Sequence, residues 1–177
     1  MKYAHDYLER MALTDGTPIL LRTLYPTDKQ NLADGMRELS FLSRYERFFT
    51  PKHGLSDSEL VFLTEMDEIN HYAIGAGLLN PDGSEGKGLG VARFVRDVDD
   101  AQIAEPAVTV LDAWQGKGLG KLLLHHVGKA AKERGIEKFR SLFLAENQRI
   151  RSLLLRVFPE TEFIADGTTT QALSLLV

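Results

Sequence analysis

Two stretches of different periodicity are separated by a glycine-rich segment, residues 115–120, which reads QGKGLG. Upstream, the β-branched run 107–110 predicts a strand. Downstream, apolar residues recur at helical spacing from Leu119 to Ala131 and predict a helix. A strand that enters a helix through a glycine turn presents unpaired N–H groups, where the helix dipole favours an anion by about 0.3–2 kcal/mol. We therefore predict that this turn binds a ligand that carries phosphate.

The residue types within this glycine segment fit contact with phosphate. Gly116 and Gly118 lack a Cβ atom, so they can adopt positive φ angles and let the backbone approach a ligand closely. Gly120 leaves the start of the helix clear of a side chain that would repel a pyrophosphate. The polar contacts expected at the rim are the Gln115 amide and the ammonium groups of Lys117 and Lys121.

Two better-known phosphate motifs fit residues 115–120 less well. A P-loop requires a hydroxyl residue after its Gly-Lys pair, and Leu122 stands there. A dinucleotide-binding fold places its glycines near the start of the chain, which is not the case here. Residues 86–90 repeat the letters GKGLG, but the alternating segment 91–96 follows them in place of a helix. We interpret this first copy as a hairpin loop, preceded by the turn-forming residues 80–83.

The composition is that of a water-soluble globular protein. The chain has 177 residues, 44% hydrophobic and 26% charged, which fits one domain over 1–177 with a sizeable core. A net charge of −4 argues against a general nucleic-acid binder. The lack of cysteine excludes disulfides and a cysteine nucleophile, and the histidines show no metal-ligand spacing, so no metal is expected. Because no apolar run reaches the roughly 18 residues of a membrane span and the N-terminus lacks a signal-peptide core, we expect a cytoplasmic protein.

Alternating strand and helix patterns indicate an α/β domain with a mixed sheet. Thr27 is expected to cap a helix, Ser56 to cap another, and Gly135 to end the helix that follows the glycine segment. The predicted helices cover about 1–14, 27–39, 43–49, a segment after Ser56, 116–134 and 148–157. The predicted strands cover 17–23, 70–79, 88–96, 101–111, 138–145, 161–165 and 170–176.

The glycine segment resembles the Gln/Arg-x-x-Gly-x-Gly/Ala signature with which GNAT acetyltransferases hold the pyrophosphate of acetyl-CoA. Residues 39–49, LSFLSRYERFF, are similar to the LSPESRYLRFF segment of bacterial protein lysine acetyltransferases. Further matches follow in the same order at 90–97, 104–108, 112–115 and 145–147. The chain is identified as a member of the GNAT superfamily, with its strongest resemblance to the acetyltransferase domain of those lysine acetyltransferases.

The resemblance implies a fold and a cosubstrate. The fold is a mixed, mostly antiparallel sheet of six to seven strands, splayed in the middle and flanked by helices. The cosubstrate is acetyl-CoA, held by Gln115, Gly116, Lys117, Gly118, Leu119, Gly120 and Lys121. Main-chain groups near Val108 and Val110 are expected to pair with the pantetheine arm, and an N–H near Val108 to polarise the acetyl carbonyl. Asn147 matches the family's asparagine on the cofactor side, and it also fits a plain helix N-cap.

The chemistry requires a base, and Glu105 is the candidate. A lysine ammonium has a reference pKa of about 10.4, so it must lose a proton before its nitrogen attacks a thioester. Glu105 lies on the strand that leads to the glycine segment, and it matches the glutamate of the family's Ala-Glu-Phe motif. Pro106 replaces the phenylalanine of that motif, which favours an edge or a bulge that could re-aim Glu105. The alternative is a solvated glutamate at the edge of a strand.

The acceptor is less constrained by the sequence. Arg44 and Tyr45 match the family's segment beside the acceptor groove, and Arg44 could instead bind the carboxylate of a small acceptor. Leu154 stands where many members of the superfamily have a tyrosine that protonates the leaving thiolate. Six acidic residues could form a rim that attracts a cationic lysine or could simply be solvated: Glu65, Asp67, Glu68, Asp97, Asp99 and Asp100.

Two classes of function remain open at this point. The first is an enzyme that moves an acetyl group from acetyl-CoA to a primary amine, with a protein lysine favoured over a small amine or a peptide N-terminus. The second is a non-catalytic module that binds acyl-CoA and regulates a partner. The expected partners are acetyl-CoA and an amine acceptor, without nucleic acid or membrane, and the expected state is a monomer or homodimer.

Overall fold

The structure, a computed structural model, describes all residues from Met1 to Val177. Its strands are β1 (Leu8–Ala12), β2 (Pro18–Thr23), β3 (His71–Leu79), β4 (Glu85–Arg96), β5 (Ile103–Val110), β6 (Lys138–Leu144), β7 (Glu162–Asp166) and β8 (Thr169–Leu175). Its helices are α1 (Lys29–Glu38), α2 (Phe41–Phe48), α3 (Asp57–Thr64), α4 (Leu119–Lys132) and α5 (Gln148–Val157). No helix has the length and apolar character that are needed to cross a bilayer.

One sheet contains all the strands, in the order β1-β2-β3-β4-β5-β6-β8-β7. Every neighbouring pair is antiparallel except β5 and β6, which run parallel. The predicted mixed, mostly antiparallel α/β fold is therefore confirmed. The sheet has eight strands rather than six to seven, because residues 8–12 form a strand where the sequence predicted a helix. That edge strand pairs with β2 from Leu8↔Arg22 to Ala12↔Pro18.

The sheet is split between its two parallel strands. Only Ile103↔Lys138 and Ala104↔Phe139 pair across β5 and β6, and beyond Ala104 the two strands separate. The predicted splay is thereby confirmed. By contrast, β4 and β5 stay in unbroken register from Arg96↔Ala104 to Gly90↔Val110. One edge of β5 is consequently free from Glu105 to the glycine segment.

Helices cover both faces of the sheet. On one face, α4 packs its apolar side against β3, β4 and β5, and Leu123 and Val127 are completely buried there. On the other face, Met36 of α1 and Leu39, the residue that follows this helix, form a smaller cluster with Leu111. The alternation of side chains along β5 thus directs even-numbered residues towards α4 and odd-numbered residues towards the layer formed by α1, α2 and α3.

The predicted helix boundaries are partly correct. Ser56 caps α3 as expected, because its hydroxyl accepts from the Glu59 N–H at 3.3 Å and the Glu59 carboxylate accepts from the Ser56 N–H at 2.8 Å. Gly135 follows α4 with a φ of +77°, as a helix end requires. The prediction for Thr27 is wrong: a short 3₁₀ turn over Pro26–Asp28 precedes α1, whose first residue is Lys29.

The first copy of the GKGLG letters is not a loop. Residues 86–90 lie inside β4, and the hairpin turn consists of the residues before Glu85. A Cβ atom at Gly90 would lie 2.8 Å from the carbonyl oxygen of Thr109. A glycine is needed there because β5 approaches closely, which the sequence pattern does not reveal.

Candidate active site

The split in the sheet opens a cleft of about 600 Å³. Its floor is the free edge of β5, and its walls come from the start of α4, from β6 and from α5. The glycine segment lies at one end of the cleft and Glu105 also lines it. The two sequence features predicted to act together are therefore in one cavity.

The glycine segment presents unpaired donors at the start of α4. Gly116 and Gly118 have φ angles of +77° and +87°, which confirms the predicted conformation, and Gly118 is the N-cap of α4. None of the main-chain N–H groups of residues 116–121 donates a hydrogen bond within the protein. A 14-residue helix directs its positive dipole end at the same place. This arrangement is a receptor for an anion of the size of a diphosphate.

The side chains of the segment are arranged differently from the sequence expectation. The Gln115 amide donates to the Val110 carbonyl at 3.1 Å and to the Ser43 hydroxyl at 3.3 Å, so it anchors the segment to β5 and α2. The Lys117 ammonium pairs with Asp15 at 3.0 Å and does not line the cleft. Leu119 is buried in the core, whereas Lys121 is exposed beside the cleft. Of the two lysines, only Lys121 therefore directs its charge at the cleft.

The main chain of β5 offers hydrogen bonds to the cleft at alternate residues. The Leu111 N–H donates to the Leu89 carbonyl at 2.9 Å, which sets odd-numbered residues of β5 to bond with β4. The N–H and C=O groups of Val108 and the N–H of Val110 therefore point into the split. Pro106 has the same orientation, so its missing N–H removes no bond between β4 and β5. The register shows no bulge at Pro106, so the bulge that could re-aim Glu105 does not occur.

Glu105 is exposed at the point where β5 leaves β6. Its carboxylate forms no hydrogen bond and no ion pair within the protein, so both oxygens are available to a ligand. Glu105 interacts electrostatically with Arg47 of α2: burial lowers the pKa of Arg47, and the charge of Glu105 raises it in part. The geometry fits a base that faces an open cleft, and the role itself stays a prediction.

Asn147 both caps a helix and borders the cleft. Its side-chain oxygen accepts from the Ile150 N–H at 3.1 Å, which makes it the N-cap of α5, and its side chain also lines the cleft. Leu154 is buried within the core, seven residues further along. The cleft therefore has no tyrosine hydroxyl at the position that the family often uses.

Arg44 and Tyr45 do not line the cleft. Arg44 donates to the Leu39 carbonyl at 2.6 Å, and Tyr45 stacks on Phe41 with ring centroids 6.1 Å apart. Arg47, one helical turn further, lines the cleft instead. The predicted segment is therefore adjacent to the site, and a different arginine within it reaches the cavity.

Two further residues of the cleft were missed by the sequence reasoning. Arg149, in the first turn of α5, donates to the side-chain oxygen of Gln115 and is exposed beside the cleft. Ser141 of β6 is 8% exposed, lines the cleft and has a hydroxyl without a partner in the protein. The closeness of Arg149 to Asn147 in the sequence was an available signal. No local pattern distinguishes Ser141 from any other inward residue of a strand.

A second, smaller cavity of about 120 Å³ lies on the opposite face of β4 and β5. Residues of α1, α2 and α3 line it, and it shares Arg47, Ala107 and Thr109 with the cleft. None of the six acidic residues of the expected rim lines either cavity. Their carboxylates are engaged elsewhere in part, as Glu65 with Lys29 and Asp97 with Arg140. No cluster of three or more histidine, aspartate or glutamate side chains is arranged to share a metal ion.

Comparison with known proteins gives consistent matches. Residues 79–155 match the family described as an acetyltransferase (GNAT) domain. "Acetyltransferase PA5475" of Pseudomonas aeruginosa is 30% identical over 142 residues, which are 80% of this chain and 75% of that protein. "Acetyltransferase Pat" of Mycolicibacterium smegmatis is 30% identical over 137 residues, which are 77% of this chain. The chain spans only 40% of the length of that mycobacterial relative.

The fold has a close structural counterpart. The crystal structure of the GNAT domain of S. lividans PAT superimposes with a TM-score of 0.83 at 24% identity, covering 96% of this chain and 97% of that one. This likeness confirms the fold, and the relative from Pseudomonas aeruginosa extends the match to three quarters of a whole protein. The chain therefore belongs to the GNAT acetyltransferase family.

Proposed function

We propose that this protein transfers an acetyl group from acetyl-CoA to a primary amine, with Glu105 as general base. The observation that carries the proposal is the set of unpaired N–H groups at residues 116–121, facing a cleft that also contains a free carboxylate. The N–H groups would hold the pyrophosphate, with Lys121 and Arg149 supplying positive charge at its edge. Asn147 would border the cofactor from α5.

The pantetheine arm would lie along the free edge of β5. Main-chain groups of Val108 and Val110 point into the split, so the arm can replace the hydrogen bonds that β6 does not supply. The acetyl group would then reach the Glu105 end of the cleft.

The chemistry is a direct transfer. The neutral amine nitrogen attacks the carbonyl carbon of the thioester, and the oxygen that gains negative charge is stabilised by an N–H of β5. Glu105 takes a proton from the amine, directly or through water, which typically accelerates such steps about 10²–10⁴-fold. The C–S bond then breaks and coenzyme A leaves as its thiolate, without a tyrosine acid at Leu154.

Taken alone, the resemblance to lysine acetyltransferases favours a protein lysine as acceptor, and a small amine is the alternative. A cytoplasmic location, a single domain over 1–177 and a monomeric or homodimeric state stay predictions. The chain's match to less than half of its mycobacterial relative leaves regulation by further domains to experiment.

A single substitution tests the proposed chemistry. Glu105→Gln should lower kcat for release of free thiol by about 10²-fold or more while leaving the Kd for coenzyme A unchanged. Glu46→Gln is the matched control, because Glu46 is the other carboxylate that lines the cleft. Normal turnover by Glu105→Gln would contradict the assignment of the base.

The same assay separates an enzyme from a regulatory acyl-CoA binder. Wild-type protein that binds acetyl-CoA by calorimetry but releases no thiol with any amine would favour the non-catalytic module. Failure to bind any CoA species would contradict both interpretations.

A further inference from the structure

Three arginines line the second cavity, and only one of them is neutralised. Arg22 is paired with Asp28 and Glu85, each at 2.7 Å. Arg47 and Arg93 form no ion pair with any carboxylate. The part of the cavity next to β5 therefore carries two unpaired positive charges.

Arg93 is almost completely buried, with 5% of its surface exposed. Its Nη1 donates to the Leu63 carbonyl at 2.9 Å and lies 3.1 Å from Nε2 of His71. Its Nε and Nη2 donate to no protein atom, yet they are not sealed from solvent, so they face the cavity. Burial and the charge of Arg93 lower the pKa of His71 to about 4. This histidine is therefore neutral near pH 7 and does not repel the Arg93 guanidinium.

Arg47 brings the second charge to the same space. Its guanidinium lies 4.9 Å from the ring centre of Phe48 and forms no hydrogen bond within the protein. Burial lowers the pKa of Arg47, and burial together with the charge of Arg47 lowers the pKa of Arg93. An anion between the two guanidinium groups would reverse both effects, since it stabilises the charged forms.

The cavity and the cleft meet at the reacting end of the site. Arg47, Ala107 and Thr109 belong to the lining of both. Arg93 stands directly opposite Ala107 in the β4–β5 register, and Glu105 is the next residue on the same face of β5. A small molecule in the cavity can therefore extend from the arginines to the base.

We propose that the acetyl acceptor is a small amino acid-like molecule, whose carboxylate is bound by Arg93 and Arg47 while its amine faces Glu105. This inference rests on the proposed transfer and chooses its acceptor class. Guanidinium groups bind carboxylates through paired, charge-assisted hydrogen bonds, and the two free nitrogens of Arg93 are suited to this geometry. A lysine side chain alone would bring another positive charge next to two arginines.

The test compares acceptors that differ only in the carboxylate. Thiol release from acetyl-CoA is measured with a panel of free amino acids, with their amides and with the corresponding decarboxylated amines. A peptide that contains one lysine, blocked at both ends and free of acidic residues, represents the protein acceptor. We expect kcat/KM to be at least tenfold higher for one or more of the amino acids than for their uncharged counterparts and for the peptide.

Variants then assign the preference to the arginines. Arg47→Met keeps the length of the side chain, and it should raise KM for the preferred amino acid at least tenfold while leaving the Kd for coenzyme A unchanged. Arg47→Lys should restore part of the preference for a carboxylate. Arg37→Met removes an exposed arginine of α1 outside both cavities and should change neither value. Because Arg93 also supports Leu63, Arg93→Lys is assayed only after its thermal unfolding matches that of wild type.

Several results would overturn the inference. Equal kcat/KM for amino acids and their amides would do so, as would a preference for the blocked lysine peptide, and in both cases the proposed acetyl transfer would stand. An Arg47→Met variant that loses activity equally with charged and uncharged acceptors would also contradict it. No thiol release with any amine would refute the acceptor class and the proposed transfer together.

Discussion

Gly118→Ala tests whether the backbone of the glycine segment, rather than its charge, holds the cofactor. Gly118 is the N-cap of α4 with a φ of +87°, where an L-residue loses roughly 1–2 kcal/mol. A Cβ atom there would also lie 3.3 Å from Cγ2 of Thr14, whose hydroxyl donates to the Lys117 carbonyl at 3.1 Å. The alanine variant should therefore shift the segment as well as strain it.

The effect on binding follows from the donors that this shift displaces. Losing one hydrogen bond to a charged phosphate oxygen costs about 1.5–3 kcal/mol, so the Kd for coenzyme A should rise roughly 10- to 150-fold. Gly135→Ala is the matched control, because Gly135 has a φ of +77°, has open space around it and lies outside the cleft. Both variants should lose a similar free energy of unfolding.

Calorimetric titration with coenzyme A and denaturant unfolding separate the two effects. Only Gly118→Ala should weaken binding, and both variants should lower the unfolding midpoint. If the two alanines destabilise the protein equally and leave the Kd unchanged, the N–H groups at the start of α4 do not hold the ligand.

Further predictions concern Arg149 of the cleft and the buried histidines. Arg149→Ala should raise the Kd for coenzyme A about three- to tenfold at low salt and less at high salt, whereas exposed Arg37→Ala should not, as titrations at two ionic strengths would show. A Kd that does not change for Arg149→Ala would remove that residue from the site. Burial lowers the pKa of His71 and of His126 to about 4, so the unfolded chain takes up protons first and stability falls as pH drops from about 6.5 towards 4. His126→Gln should make that loss shallower by about 1–3 kcal/mol in urea unfolding across this range, whereas the exposed-loop variant His53→Gln should not.

The sequence predicted those features of the site that depend on residues close together in the chain. Strand, glycine turn and helix follow one another within residues 107–131, so the unpaired N–H groups could be expected without knowledge of any distant contact. The same holds for Ser56, whose capping partner Glu59 is three residues away. Such features depend on backbone geometry over a few residues, and that geometry is encoded locally.

The features that the sequence did not predict depend on contacts between distant segments of the chain. The strand over residues 8–12 is stabilised by pairing with β2, and its mixed charged and apolar letters do not distinguish it from a helix. The Gln115 amide was expected to face phosphate, but Ser43, 72 positions earlier, accepts its hydrogen bond. The unpaired charges of Arg47 in α2 and Arg93 in β4 become visible only in the folded chain, where both residues line one cavity. No periodicity in the sequence predicts that Arg47 and Arg93 line the same cavity.

The split between β5 and β6 also bears on how the empty protein behaves among its own copies. An unpaired strand edge is a template on which another chain can add a strand, and sheet proteins usually shield it. If the cofactor binds as proposed, that edge has to stay accessible to it. The edge lies inside a cleft between α4 and α5. We expect this cleft to admit a narrow chain such as pantetheine and to keep out a strand that belongs to another sheet.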